Sequence, residues 1–304
     1  MTINQLRYVI AVAESSSMNE AAKKLFISQP SLSTTIRELE EEAGIELFVR
    51  SNRGIRLTPE GEEFLGYAKQ VVDQYELIEQ KYITGEKQKK HFSVSCQHYA
   101  FAVDAFARMV KQFGMDEYEF AIYETRTANV ISDVKGFKSE IGILYLNDFN
   151  RKVLTKMFDE GGLEFHPIAD CDAYVYMHKS HPLADRKSIA FEELADYPCL
   201  TFEQGNNNSF YFSEEMLPTY KYRQLIKVSD RATSLNLMLG VHGYTICSGV
   251  ICEELNGADY CAVPLRGDEK MTVGYIVRKN MKLSELAGKY LEEIKEFMNK
   301  QNTK

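Results

Sequence analysis

The chain has 304 residues, 36 of them basic and 44 acidic, a formal net charge of -8, so bulk attraction to nucleic acid or to an anionic membrane is not what its composition supplies. No apolar run approaches the length of a membrane span, and no charged, apolar, small-residue leader precedes the first helical pattern, so no membrane partner and a cytoplasmic location are expected. The length suits more than one domain.

Ile3, Leu6, Ile10 and Ala13 mark one face of an opening helix. Two short amphipathic helices follow between residues 17 and 39. The first is expected to start at Asn19, whose side-chain oxygen suits an N-cap, with Ala21, Ala22 and Leu25 inward and an end near Phe26. Ser28 is the next cap, and Pro30 falls in a first turn, where its missing amide hydrogen costs nothing. From Gln29, the residues Leu32, Ile36 and Leu39 recur at spacings of four and three, which turns Pro30, Ser33, Thr34 and Arg37 outward until Gly44 ends the helix. Two such helices in tight succession form a helix-turn-helix pattern, with double-stranded DNA as the first partner and an ordinary pair of solvated helices as the alternative. Residues 45–57 read as a hairpin carrying Arg50, Arg53 and Arg56, a candidate wing for phosphates or the minor groove.

Local charge tempers this. Up to Gly66 there are seven basic residues against ten glutamates, 7 - 10 = -3, although Glu38, Glu40, Glu41 and Glu42 cluster on the far half of the outward-facing helix. Modest, salt-sensitive binding per domain is expected, so several domains must act together. Thr58 as cap, Pro59 at the first position and the series Phe64, Ala68, Val71, Tyr75, Ile78 and Tyr82 give a long helix with a heptad seam, suited to pairing with a second copy or to packing on its own domain. Residues 85–90, with Lys87, Lys89 and Lys90, read as a solvated hinge.

Beyond Phe92 strands and helices alternate. Strands are expected at 92–95, 119–124 and 141–145 with helices at 100–112 and 128–137, an order that implies a parallel sheet with covering helices. A second set follows at 165–168, 173–178, 199–202, 225–228 and 244–247 with a helix at 231–241; the chain returns through 260–264 and 271–277 to a closing helix from 284. Two lobes joined by two crossings result. A ligand belongs in the cleft beyond the carboxyl ends of the strands, where Ser95, Gln97, His98, Thr125, Thr127, Thr201 and Arg231 are the candidate contacts for a small polar or anionic effector. Thr127 and Asp230 suit helix caps equally well, and Arg126 and Arg231 suit either a carboxylate or solvent.

Six cysteines show no paired two-residue spacing and are expected as free thiols, with no structural metal. There is no phosphate-cradling glycine motif after the strand at Phe92, no nucleophile elbow and no metal-spaced cluster, so no catalytic residue, no enzyme activity and no cofactor are expected. A stand-alone solute-binding protein would leave the first ninety residues without a role.

The segments Ala21-Ala22, Leu25, Ser28-Gln29-Pro30-Ser31-Leu32-Ser33, Leu39-Glu40, Gly44, Leu47-Phe48, Arg50 and Leu57-Thr58-Pro59-Glu60-Gly61 resemble, in order and without gaps, the LysR-type transcriptional regulators. Thr34 stands where members often carry arginine, and Ala43 where leucine is common. Glu140-Ile141-Gly142-Ile143, His181-Pro182-Leu183-Ala184 and Leu239-Gly240-Val241-His242-Gly243-Tyr244 resemble, more loosely, the effector domain of the same family. The resemblance implies an α+β multidomain chain: a winged helix-turn-helix at 1–58, a dimerising linker helix and hinge at 59–88, and a two-lobed, Rossmann-like α/β effector domain akin to periplasmic binding proteins. Lobe I would span 89–163 and 268–304, lobe II 164–267. It further implies operator contacts from Gln29, Pro30, Ser31, Ser33, Thr34 and Arg37, wing contacts from Arg50 and Arg53, a homodimer or tetramer, and RNA polymerase as a further candidate partner.

Overall fold

The computed structural model describes residues 1–15, 17–51, 54–79, 82–83, 89–113, 117–205 and 209–301, and the chain divides into two compact units at residue 90.

In the first unit α1 (Ile3–Ala13), α2 (Met18–Lys24) and α3 (Gln29–Ala43) enclose a core of Val9, Val12, Ala21, Ala22, Leu32, Ile36 and Leu39. Thr2 opens α1 with a reciprocal capping box to Gln5. α2 begins one residue before the expected Asn19: Ser17, not Asn19, accepts from the Glu20 amide, because both residues can cap and Ser17 has the extended backbone that a cap requires. The turn between α2 and α3 carries Phe26 in the left-handed region (φ 55°) with its side chain 95% exposed. Ser28 caps α3 by accepting from the Ser31 amide at 3.3 Å, Pro30 lies in the first turn, and Gly44 closes the helix at φ 70°, which favours glycine.

β1 (Phe48–Ser51) and β2 (Gly54–Leu57) pair antiparallel from Phe48↔Leu57 to Ser51↔Gly54, forming the expected hairpin. The hydroxyl of Thr58 donates to the Glu46 carbonyl and accepts from the Gly61 amide, which starts α4 (Pro59–Glu79). A side chain at Gly61 would lie 2.1 Å from the Leu47 carbonyl oxygen, so only glycine lets α4 approach the hairpin this closely. The apolar stripe of α4 is shared between two directions. Ala68 and Val72 pack on Leu6 with Phe64 alongside, whereas Tyr67, Val71, Tyr75 and Ile78 stay exposed on another face. Of the hinge expected at 85–90, residues 85–88 lie outside the described residues, and Lys90 is already the first residue of a strand.

The second unit holds two five-stranded sheets. Its elements are β3 (Lys90–Cys96), α5 (Ala100–Lys111), β4 (Tyr118–Glu124), α6 (Thr127–Lys135), β5 (Ile141–Leu146), α7 (Arg151–Glu160), β6 (Leu163–Asp172), β7 (Tyr174–His178), β8 (Cys199–Phe202), β9 (Leu225–Val228), α8 (Arg231–Gly240), β10 (Tyr244–Cys247), α9 (Glu253–Asn256), β11 (Tyr260–Pro264), β12 (Lys270–Arg278) and α10 (Glu285–Gln301). The first sheet has the order β4-β3-β5-β12-β6 and the second β11-β7-β10-β8-β9.

Neither sheet is purely parallel. β12 runs antiparallel to both β5 and β6, and β7 antiparallel to β10 and β11, while β3/β5, β8/β10 and β8/β9 are parallel. The strand expected at 165–168 in the second lobe belongs instead to the first sheet as β6, and the chain crosses over at Ala173; β12 returns to sit between β5 and β6, a pairing across about a hundred residues that local pattern does not encode. α7 was not expected; its inward residues Leu154 and Phe158 are spaced by four. A single apolar cluster runs through both sheets and α10, from Val94, Ile141 and Ile143 to Val175, Met177 and Ile246, with Tyr290 of α10 fully buried and donating to the Ala102 carbonyl at 3.1 Å. No helix among the described residues is long and apolar enough to cross a membrane.

Candidate functional site

The outer surface of α3 is set by its inner one. Because Leu32, Ile36 and Leu39 are at most 1% exposed, Pro30, Ser31, Thr34 and Arg37 stand in solvent, with Gln29 and Ser33 at the edge of the packed face. The face is short-chained and polar, and its opening turn, with Pro30 lacking an amide hydrogen, is geometrically free to approach a flat or grooved partner. Arg37 reaches Glu41 at 3.7 Å, an exposed pair one turn on that is easily broken. The hairpin is bolted to this helix by a residue that sequence reading misses: Glu40 accepts from the amides of Leu47 (2.8 Å) and Phe48 (3.1 Å). Its position in a run of glutamates disguises that role. Arg50 lies on β1 and Arg56 is exposed on β2; Arg53 lies outside the described residues.

In the second unit, a cavity of about 90 Å³ opens where the β3–α5 turn of the first sheet meets the ends of β8 and β10 and the start of α8. Its walls are mostly apolar, including Phe101, Phe202, Met238, Ile246 and Met271. Of the seven candidate ligand contacts, His98 and Arg231 line it. The other five are used elsewhere. Ser95 bonds to Asp133 (2.7 Å) and Ser139 (2.8 Å) behind the sheet. Gln97 donates to Thr127 (2.6 Å) and accepts from the Tyr145 amide (3.2 Å) and the Tyr99 hydroxyl (3.0 Å), while Thr127 donates to the Phe212 carbonyl (2.7 Å). This set ties the two lobes together and keeps Gln97 and Thr127 out of the cavity lining, although Tyr99 belongs to that lining. Thr125 accepts from Asn129, and Thr201 faces a separate hollow beside Lys227 and Tyr220.

Acids complete the cavity. His98 donates its backbone amide to Glu214 (2.9 Å), and its Nδ1 lies 2.8 Å from the same carboxylate; the ring stacks on Phe202 at 4.0 Å between centroids. Burial alone disfavours the charged imidazole, yet the hydrogen bond and charge of Glu214, with Glu124 and Glu215 behind, outweigh it and raise the His98 pKa. Glu215, buried, accepts from the Phe202 amide (2.8 Å) and the Ser213 hydroxyl (2.8 Å); burial first and the neighbouring Glu214 second push its carboxyl up to about 7. Arg231 pairs with Glu124 at 3.3 Å, and burial raises the Glu124 pKa against the pull of that guanidinium. Glu214 and Glu215 come from an irregular segment whose Ser213 and Glu215 carbonyls accept from Tyr145, so no periodicity announces them. Next door Arg126 pairs with Glu203.

All six cysteines are free. Burial raises every one of their pKa values, Cys171 to about 11 and Cys247 to about 12, which disfavours the reactive thiolate.

Two family models match the chain: the bacterial regulatory helix-turn-helix protein, lysR family, over residues 3–62, and the LysR substrate binding domain over residues 100–299. The chain is 25% identical over 308 residues to the transcriptional regulator BenM of Acinetobacter baylyi, covering 98% of this chain and 96% of that one. It is 23% identical over 299 residues to the regulator YbhD of Escherichia coli, covering 95% and 89%. Among solved structures, full-length OxyR from Pseudomonas aeruginosa superposes with a TM-score of 0.64 at 21% identity, over 97% of this chain and 94% of that one. The LysR family regulator CbnR gives 0.57 at 20% identity, over 98% and 99%.

Proposed function

The chain belongs to the LysR family of DNA-binding transcriptional regulators with an effector-binding domain, and from that premise we propose how its own residues carry out the two tasks. Residues 1–58 read an operator: the opening turn of α3, with Gln29, Pro30, Ser31, Ser33, Thr34 and Arg37, lies in the major groove, where short polar side chains reach base edges. Arg50 and Arg53 of the hairpin neutralise phosphates or enter the minor groove. The observation that carries this reading is the solvent-exposed, polar opening turn of α3, held rigid from behind by Leu32, Ile36 and Leu39.

The second α4 stripe, Tyr67, Val71, Tyr75 and Ile78, is the surface that pairs with a second copy, placing two winged domains on a two-fold operator, with a tetramer formed from two such pairs. The segment 59–88 serves as linker and hinge. The lobes, bounded near 89–163 with 268–304 and near 164–267 apart from β6, bind a small molecule in the cavity at His98 and Arg231. The chain acts as a cytoplasmic regulator without catalytic activity, and RNA polymerase is its candidate partner at the promoter. Ligand binding favours one arrangement of the lobes, and the shift in operator binding is limited by the ligand's differential affinity for the two arrangements. DNase footprinting with and without a molecule shown to bind the cavity tests the reading. A shortened or shifted footprint is expected, and one unchanged by every bound ligand rejects the coupling.

A further inference from the structure

The cavity's walls say more about its ligand than its position does. Two cations belong to it, His98 and Arg231, and each already has a carboxylate partner, Glu214 at 2.8 Å and Glu124 at 3.3 Å. A third carboxylate, Glu215, lines the same wall and is satisfied by the Phe202 amide and the Ser213 hydroxyl. Neither His98 nor Arg231 is therefore left without a carboxylate partner. A ligand carboxylate would find no unpaired cation and would bring an uncompensated negative charge beside Glu214 into a space walled mainly by Phe101, Phe202, Met238 and Ile246, where poor screening makes like charges costly. A ligand ammonium would stand beside the Arg231 guanidinium. One polar atom at the cavity remains unanswered: Nη1 of Arg231 is buried and meets no acceptor among the described residues. A buried N–H without an acceptor is unfavourable, and a ligand that supplies one gains the difference. The volume, about 90 Å³, is below the roughly 150 Å³ of a cavity that takes up benzene, so the ligand is a small one.

Accepting the cavity as the effector site, we propose that its ligand is a small uncharged molecule with an apolar body and one hydrogen-bond acceptor, such as a carbonyl, seated on Arg231 Nη1. The acid-rich wall selects against the carboxylate of the same shape.

The test uses molecules sharing one skeleton, isobutyramide, isobutyrate and isobutylamine, titrated into the full chain near neutral pH and followed by calorimetry and thermal shift. The amide is expected to bind at least about tenfold more tightly than either ion, a gap of about 1.4 kcal/mol. Equal or tighter binding of the carboxylate or the amine overturns the proposal, as does no binding of the amide at millimolar concentration. The double variant Glu124→Gln with Arg231→Met removes the donor and its counter-charge together while leaving Glu214 and Glu215 in the wall, and is expected to weaken amide binding at least about tenfold without admitting the carboxylate; a folded double variant that binds the amide as tightly as its parent also overturns the proposal. Footprinting separates this from the functional reading. An amide that binds without altering the footprint rejects the coupling and leaves the ligand class standing, whereas a carboxylate that binds more tightly and alters the footprint does the reverse.

Discussion

Replacing Glu215 with glutamine removes a buried charge while keeping the shape and the oxygen that accepts from the Phe202 amide at 2.8 Å. A glutamate ordinarily ionises near 4.5, and Glu215 does so at about 7 because burial and the adjacent Glu214 penalise its charge. Between those two values the folded chain holds a proton that the unfolded chain has released, so stability falls as pH rises through this window and levels off above about 7. The gap corresponds to about 3 kcal/mol. His98 contributes in the same direction: its pKa is raised, so its stabilisation is complete below the ordinary histidine value of 6.5 and is lost as pH climbs through the folded value. That contribution persists in Glu215→Gln and cancels, to first order, in the difference between the two proteins. Urea denaturation followed by near-ultraviolet dichroism of the buried tyrosines Tyr145 and Tyr290 measures it. The variant is expected to match its parent near pH 5 and to exceed it by up to about 3 kcal/mol near pH 8. Parallel pH profiles would show that Glu215 is not held protonated and that the wall carries less charge strain than its geometry implies.

Further outcomes follow from the packing. Gly61→Ala forces a methyl group against the Leu47 carbonyl and is expected to cost about 1–3 kcal/mol in the N-terminal unit, read as a lowered urea midpoint. Val71→Glu with Ile78→Glu charges the exposed α4 face while sparing Ala68 and Val72; sedimentation is expected to show smaller assemblies with an unchanged circular dichroism spectrum. The cysteines should react with iodoacetamide near neutral pH more slowly than a free thiol, because burial raises each of their pKa values. Rapid modification of Cys171 or Cys247 in the folded chain would contradict that.

The sequence is most legible where structure is local. Ser28, Pro30 and the spacing of Leu32, Ile36 and Leu39 fix α3 within a few residues of one another, and the cap, the proline and the apolar period all agree. Where two cap residues compete, as Ser17 and Asn19 do, the boundary moves by a residue. Legibility fails with distance. The seat of β12 between β5 and β6 depends on pairing far along the chain, and the contact of His98 with Glu214 spans 116 residues. Gln97 illustrates a different failure: a polar residue at the end of a parallel strand has the look of a ligand contact, yet Thr127, Tyr145 and Tyr99 consume its hydrogen bonds. Hydrogen-bond saturation is invisible in sequence. The same applies in reverse to Glu40, which sits in an acidic run and turns out to hold the hairpin against α3.

The proposed division of labour between helix and hairpin is tested most directly by selecting bound sequences from a randomised operator library with the parent, Gln29→Ala and Arg53→Ala proteins, and by measuring affinity against salt for each. Gln29→Ala is expected to change which bases are preferred while keeping the salt dependence, and Arg53→Ala to weaken every sequence alike and flatten the salt slope by about one phosphate contact. Identical, sequence-blind losses in both variants would contradict the assignment of α3 as the reading element.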